Sequence, residues 1–315
     1  MPSPGEHKTV QARILHYAQE IGWTYVPRDE AERRRGFDPD GATPEERAHK
    51  ASVYFGDLLH TQVLAFNPKY KEAEGALIGE FQRFHADIYG NRDFLQALRN
   101  QHKFFYAEEN RELDLMLIDY DDLSRPREQW RNVYEVTEEF YTHNGKHGTR
   151  EDVVFLINGI PILVIECKNA SKHEAIALGV DQIRRYHTET PEVMVPQMLF
   201  TATEAIGFAY GVTWNMVRRN IFNWKHEETC PEHAEWAGNL EATVGNGRDR
   251  SLLWDIACAP SRISSSSRKR KRNCKRLSSA NTRRGQWIRW YRARSTRIAL
   301  AASSGIRRAA ARPTR

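Results

Sequence analysis

No apolar run in this chain of 315 residues approaches the ~18–20 residues that a membrane-crossing helix needs, so no transmembrane span is expected. The opening Met1-Pro2-Ser3-Pro4-Gly5 leads into polar sequence without an apolar h-region, and no secretory signal is read there. Cysteine is scarce. Cys167, Cys230, Cys258 and Cys274 are widely spaced and form no CxxC pair. That argues against a disulfide framework and fits a reducing, cytoplasmic location. Cys230-Pro231-Glu232-His233 has ligand-like spacing but lacks a second pair, so it is not read as a zinc site. A phosphate loop of the form G-x-x-x-x-G-K-[ST] is missing as well, and with it the usual means of cradling ATP.

Acidic residues are missing from one end. The last is Asp255, and residues 256–315 carry 18 Lys and Arg with no Asp or Glu. Of the 47 basic residues, 29 therefore remain against 41 acidic ones in the rest, a net of −12. The overall charge of +6 is the sum of an acidic body and a strongly basic tail, and the pI of about 9.1 describes neither. Arg and Ser dominate the tail, and its apolar residues keep no period. Two origins fit: a disordered basic segment, or the translated product of a frame change in a GC-rich gene. Either would bind polyanions without sequence preference.

Apolar spacing predicts an amphipathic helix over residues 6–21 (Val10, Ile14, Leu15, Ala18, Ile21), ended by Gly22. Residues 28–50 are charged, contain Gly and Pro, and read as a loop with little core. A second helix is expected near 52–66, before Asn67-Pro68. A third is expected over 75–99, with Leu77, Ile78, Phe81, Phe84 and Ile88 on one stripe. The period then falls to two, predicting strands at 113–119 and 132–141. Residues 153–157 and 160–166 are continuously apolar and flank Asn158-Gly159, a strong hairpin signal, so two strands buried on both faces are expected. A helix near 172–187 and an apolar run near 193–200 follow. His143-Asn144-Gly145-Lys146-His147 reads as a polar turn between strands rather than a metal-binding histidine loop.

Strand alternation places Glu166 and Lys168 on one face at the polar end of the second buried strand, with Cys167 on the other. The hairpin brings the acidic pair Glu151-Asp152 beside them. A two-residue turn sets Glu151 opposite Glu166, whereas a three-residue turn with a G1 bulge sets Asp152 there. The sequence leaves both open. Two carboxylates at that place can hold Mg²⁺ through oxygen ligands. The ion would acidify a water and stabilise charge on a phosphoryl oxygen. Lys168 can orient or help deprotonate the attacking water and offset developing charge. Gln182 and Tyr186, four residues apart, share a face of the next helix and can hydrogen-bond a phosphate or a water. Arg184 and Arg185 beside them can contact DNA phosphates.

Asp152, Glu166-Cys167-Lys168 and Gln182-Ile183-Arg184-Arg185-Tyr186 resemble the PD-(D/E)xK nuclease signature with its trailing Q-x-x-x-Y element. The wider sequence is similar to the N-terminal nuclease domain of the type I restriction enzyme R subunit. Val136-Thr137-Glu138-Glu139-Phe140, Asn158-Gly159-Ile160-Pro161, Ile21-Gly22-Trp23-Thr24-Tyr25-Val26-Pro27 and Leu64-Ala65-Phe66-Asn67-Pro68 carry that likeness over residues 6–225. It implies an α/β fold with a restriction-endonuclease-like core, a mixed β-sheet flanked by helices, preceded by a helical segment. It also implies Asp152 and Glu166 as metal-binding acids, Lys168 as catalytic lysine, Gln182 and Tyr186 as the trailing motif, and Glu6 as an early acid. Mg²⁺ is the expected cofactor, with ATP belonging to full-length family members. Double-stranded DNA and the methylation and specificity subunits of a restriction complex are the expected partners.

Two departures stand out. Glu151 occupies the place of the proline that often precedes the first acid, and no helicase motor is encoded in these residues. The expected organisation is a nuclease domain over 1–225, a linker towards the missing motor over 226–254, and the basic tail over 255–315. The chain is then a Mg²⁺-dependent DNA endonuclease module truncated before its motor. The alternative is a non-catalytic remnant that docks to restriction subunits or binds DNA through its tail, and strand cleavage separates the two.

Overall fold

The computed structural model describes residues 10–223, apart from 72–74, 107–108, 123–124, 170–173, 205–207, 216 and 218–219. All of them lie in the first of two units into which the chain divides, Met1–Ser265. Glu6, the Cys230–His233 segment, the expected linker and the basic tail lie outside the described residues.

The central element is a seven-stranded mixed sheet. In chain order its strands are β1 (Thr24–Tyr25), β4 (Tyr134–His143), β5 (Gly148–Ile157), β6 (Ile160–Cys167), β7 (Leu199–Thr203), β8 (Phe208–Val212) and β9 (Phe222–Asn223), and they are neighbours in that same order. β1 runs parallel to β4 and β6 parallel to β7, while the other pairs are antiparallel. The parallel β6–β7 step needs a crossover, which helix α7 (Ala175–Glu189) and the short α8 (Pro191–Met194) provide. A separate ribbon pairs β2 (Lys103–Tyr106) with β3 (Arg111–Asp114).

Both faces of the sheet are covered, which is why every residue of β6 is buried. One face packs Val153, Phe155 and Ile165 against α1 (Ala12–Glu20), α4 (Gly56–Phe66) and α6 (Ile88–Leu98). Trp23 stands edge-on to Phe155 there, ring centres 4.9 Å apart. The other face packs Val154, Leu156 and Val164 against Val180, Ile183 and Tyr186 of α7. This is the expected restriction-endonuclease-like α/β architecture. Among the described residues no helix is long and apolar enough to cross a membrane.

Three expectations need correction. Residues 28–50 hold α2 (Arg28–Arg34) and α3 (Pro44–Ala48) rather than a loop alone. The Arg35 guanidinium is buried over the Phe140 ring at 3.6 Å and donates to the carbonyls of Ser52 and Tyr141 and to Thr142 Oγ1. The single helix over 75–99 is two, α5 (Ala76–Phe81) and α6, because Asp87 caps α6 by accepting from the Tyr89 and Gly90 N–H groups. Ile88 is accordingly exposed rather than on the buried stripe. The strand expected at 113–119 ends at Asp114, since its hydrogen bonds go to β2 and not to the central sheet. The polar turn at 143–147 is as expected, with Asn144 Oδ1 accepting from the Lys146 and His147 N–H groups.

Candidate functional site

The site begins with a turn. Asn158 and Gly159 both have positive φ, +54° and +78°, the pattern of a two-residue type I′ hairpin. A Cβ at Gly159 would come within 2.5 Å of the Phe55 carbonyl. Next to the turn Ile157 faces Ile160 and Leu156 faces Pro161. The register then shifts, and Phe155 faces Leu163. Ile162 is the extra residue of a β-bulge. Continued along the strands, the shifted register sets Asp152 across from Glu166. The tight turn alone would have set Glu151 there, so the bulge decides which acid enters the site.

Beyond Val153 and Ile165 the ladder between β5 and β6 ends. The Cys167 N–H donates instead to Asp152 Oδ2 at 2.8 Å. That bond ties the Asp152 carboxylate to the end of β6. On the other side of β5, Glu139 has φ +52°. Gln11 Nε2 inserts there, donating to the Asp152 carbonyl at 2.7 Å and to Glu139 Oε1 at 3.0 Å. Lys168 continues the line of β6 through a backbone bond to the Thr203 carbonyl.

Lys168 Nζ is the meeting point. It donates to Glu166 Oε2 at 3.1 Å and to the Cys167 carbonyl at 3.0 Å, and it lies 3.7 Å from Asp152 Oδ2. Glu166 is fully buried. Burial first, and the nearby Asp152 second, raise its pKa well above the usual carboxylate range, against the opposing pull of Lys168 and Tyr186. The Tyr186 hydroxyl lies 2.6 Å from Glu166 Oε1 and 2.8 Å from the Arg150 carbonyl, and it accepts from Gln182 Nε2 at 2.6 Å. Tyr186 is buried, so its hydroxyl faces the carboxylate rather than solvent. Gly179, about two turns earlier on α7, lets the helix approach this closely; a Cβ there would stand 2.9 Å from the Ala202 Cβ.

Glu151 does not join this group. It is fully buried, accepts from Thr149 Oγ1 at 3.0 Å, and its pKa is raised to about 7 by that burial. Arg184 pairs with Asp181 at 2.5 Å and is absent from the lining of the neighbouring cleft. That cleft, of about 350 Å³, is lined by Arg185 together with Asp152 and Gln182. Arg28 and Arg150 line it too. Sequence reasoning does not find these two, because no local pattern links arginines so far apart in the chain. Gln11 carries no signal either, since one polar residue on an amphipathic helix is commonplace.

Three oxygens, from Asp152, Glu166 and the Cys167 carbonyl, therefore surround one cationic group, the Lys168 ammonium. An all-oxygen donor set fits a hard divalent cation such as Mg²⁺, which keeps several waters and takes few protein ligands. Among the described residues no group of three or more His, Cys, Asp or Glu is gathered for a metal. Two carboxylates and one carbonyl are the oxygens that could serve a cation at this place.

Residues 3–218 match the family described as type I restriction enzyme R protein N terminus. A relative named type I restriction enzyme MjaVIIP endonuclease subunit, from Methanocaldococcus jannaschii, is 32% identical over 77 residues. That alignment covers 24% of this chain and 7% of the relative's length.

Proposed function

This chain belongs to the type I restriction enzyme R protein N-terminal family, and from that premise we propose that it is the DNA-cutting module of a type I restriction system. Its reaction is phosphodiester hydrolysis with Mg²⁺ as cofactor. The observation that carries this reading is the convergence of the Asp152 and Glu166 carboxylates on Lys168, where half-buried Asp152 of β5 meets the end of the fully buried β6. Buried charged groups are costly unless paired. A surface use of the same residues would need no such arrangement.

Asp152, Glu166 and the Cys167 carbonyl would hold the ion. Bound there, Mg²⁺ supplies acidification of a water and neutralisation of charge at the phosphoryl oxygens. Lys168 orients the attacking water and offsets charge on the phosphoryl group as the bond to water forms and the bond to the deoxyribose oxygen breaks. Tyr186 holds Glu166 in place, and Gln182 holds Tyr186. Arg185 lies where it can meet a DNA phosphate; Arg184 is placed to do so only from outside the cleft. The partners that follow from this reading are double-stranded DNA and the methylation and specificity subunits of a restriction complex. ATP is needed by a motor these residues do not encode.

The test is nicking of supercoiled plasmid by the purified chain in Mg²⁺ or Mn²⁺, with Glu166→Ala and Lys168→Ala alongside and thermal melts to verify folding. Cutting that needs the metal and is lost in both folded variants supports the reading. Equal activity in wild type and both variants overturns it. Binding with a steep salt dependence and no cutting, in any metal, marks the chain as a non-catalytic remnant.

A further inference from the structure

Three arginines from three different elements line the cleft beside Asp152: Arg28 at the start of α2, Arg150 on β5 and Arg185 on α7. They share one geometry. Arg28 donates through Nε to Glu32 Oε1 at 2.7 Å. Arg150 Nε lies 2.8 Å from Glu139 Oε2, and Arg185 Nε lies 3.2 Å from Glu189 Oε2. Each guanidinium is thus held from its Nε side. Their Nη groups have no hydrogen-bond partner among the described residues.

Two of the anchors are themselves fixed. Glu32 is buried and also meets Arg47 at 2.5 Å. Glu139 accepts from Gln11, the residue that also grips the Asp152 carbonyl. An arginine held this way loses little further freedom on meeting a ligand, and its remaining fork matches two oxygens of one phosphate. Their side chains are 40%, 57% and 55% exposed, so each keeps a face open to a ligand at the concavity. Within the lining the three guanidiniums face two carboxylates, Glu45 and Asp152.

We propose that Arg28, Arg150 and Arg185 form a phosphate-binding site that takes a backbone phosphate of the DNA strand next to the bond being cut. This rests on the nuclease reading above. It assigns α2, a segment whose sequence reads as a charged loop, to one wall of the substrate path. Phosphate contacts of this kind position the strand and carry no sequence information.

The experiment uses the full chain, a DNA duplex and inorganic phosphate as probes, and the double variant Arg28→Gln, Arg150→Gln. In the variant the KM for plasmid nicking should rise at least ten-fold, with kcat within about three-fold of wild type. The slope of log binding constant against log salt should shrink by about 0.9 for each phosphate the variant no longer neutralises. If wild type nicks DNA and the variant changes neither KM nor slope, this inference falls and the nuclease reading stands. If wild type does not nick but the variant still shows the smaller slope, the nuclease reading falls and the phosphate site stands. If inorganic phosphate binds wild type and not the variant while duplex affinity is equal in both, the site takes a free anion, and its assignment to DNA is overturned. Should the glutamine variant fail to fold, Arg28→Lys with Arg150→Lys keeps the charges and removes the forks; its salt slope should then match wild type while the KM still rises, and an unchanged KM overturns the site.

Discussion

The Tyr186 hydroxyl stands 2.6 Å from the Glu166 carboxylate inside the protein, so on the proposed reading the trailing tyrosine positions an acid rather than touching the substrate. Tyr186→Phe keeps the ring among Val180, Ile183 and Phe200 and removes only the hydroxyl. We expect a loss of about 1–3 kcal/mol in urea unfolding, the range for a hydrogen bond to a charged group or for stranding its partner. Nicking should fall about 10- to 100-fold in kcat, the usual effect of removing a group that orients a metal ligand, with KM nearly unchanged. A large rise in KM alone would place Tyr186 on the substrate instead.

Asp152 and Glu151 are adjacent acids with opposite fates, and the Ile162 bulge separates them. Asp152→Asn should abolish cutting, because it removes a charge facing Lys168 while its amide can still occupy the same space. Glu151→Gln should cut within a few-fold of wild type. Its carboxyl meets Thr149, not Lys168 or Glu166. Parallel plasmid assays on the two purified variants decide the matter. Equal loss in both would mean that Glu151 serves the reaction through its burial beside Arg35.

Much of the fold is legible in the sequence, and the failures have physical causes. The paired apolar runs around Asn158-Gly159 can only be a hairpin buried on both faces, and they carry the acids and the lysine with them. The register is hard to read, because a bulge costs one residue along a uniformly apolar strand; Pro161, which has no N–H for the ladder, hints at an irregularity there but fits the start of a regular strand equally well. Residues 28–50 read as a loop because a buried arginine such as Arg35 is spelled like a solvated one. Its burial depends on carbonyls from Ser52 and Tyr141 that only the fold supplies. The cleft arginines are invisible for the same reason: Arg28 and Arg150 come to line one cleft only once α2 has packed against the β4–β5 pair.

Gly179 sits where α7 crosses β6 and β7. Alanine would ordinarily favour a helix by about 0.5–1 kcal/mol over glycine. Here its Cβ would meet the Ala202 Cβ at 2.9 Å, and both atoms are fixed to backbone. Overpacking of this kind costs about 1–3 kcal/mol, so Gly179→Ala should be destabilising on balance and Gly179→Val more so. Since α7 carries Gln182 and Tyr186, the same shift should lower nicking before the protein unfolds. Circular dichroism melts and plasmid assays at a temperature well below the transition test both parts. A stabilised, fully active Gly179→Ala would show that α7 has room to spare.

His187 lies on α7 with its ring centre 4.5 Å from that of Trp214, and its Nε2 accepts the Trp214 backbone N–H at 3.2 Å. Burial lowers its pKa to about 4, from a usual value of 6.5. Between those values the unfolded chain binds a proton that the folded chain does not. The histidine's contribution is therefore complete above pH 6.5 and declines as the pH falls towards 4. The slope can reach about 1.4 kcal/mol per pH unit for one proton. Replacement by glutamine keeps an acceptor near Trp214 and removes the titration, so His187→Gln should lose stability less steeply than wild type across this window. The difference between the two urea midpoints, followed from pH 7 to pH 4.5, isolates the histidine from the carboxylates that titrate in both proteins. Parallel curves would mean that the ring is protonated in the fold, with the Trp214 hydrogen bond broken to admit water.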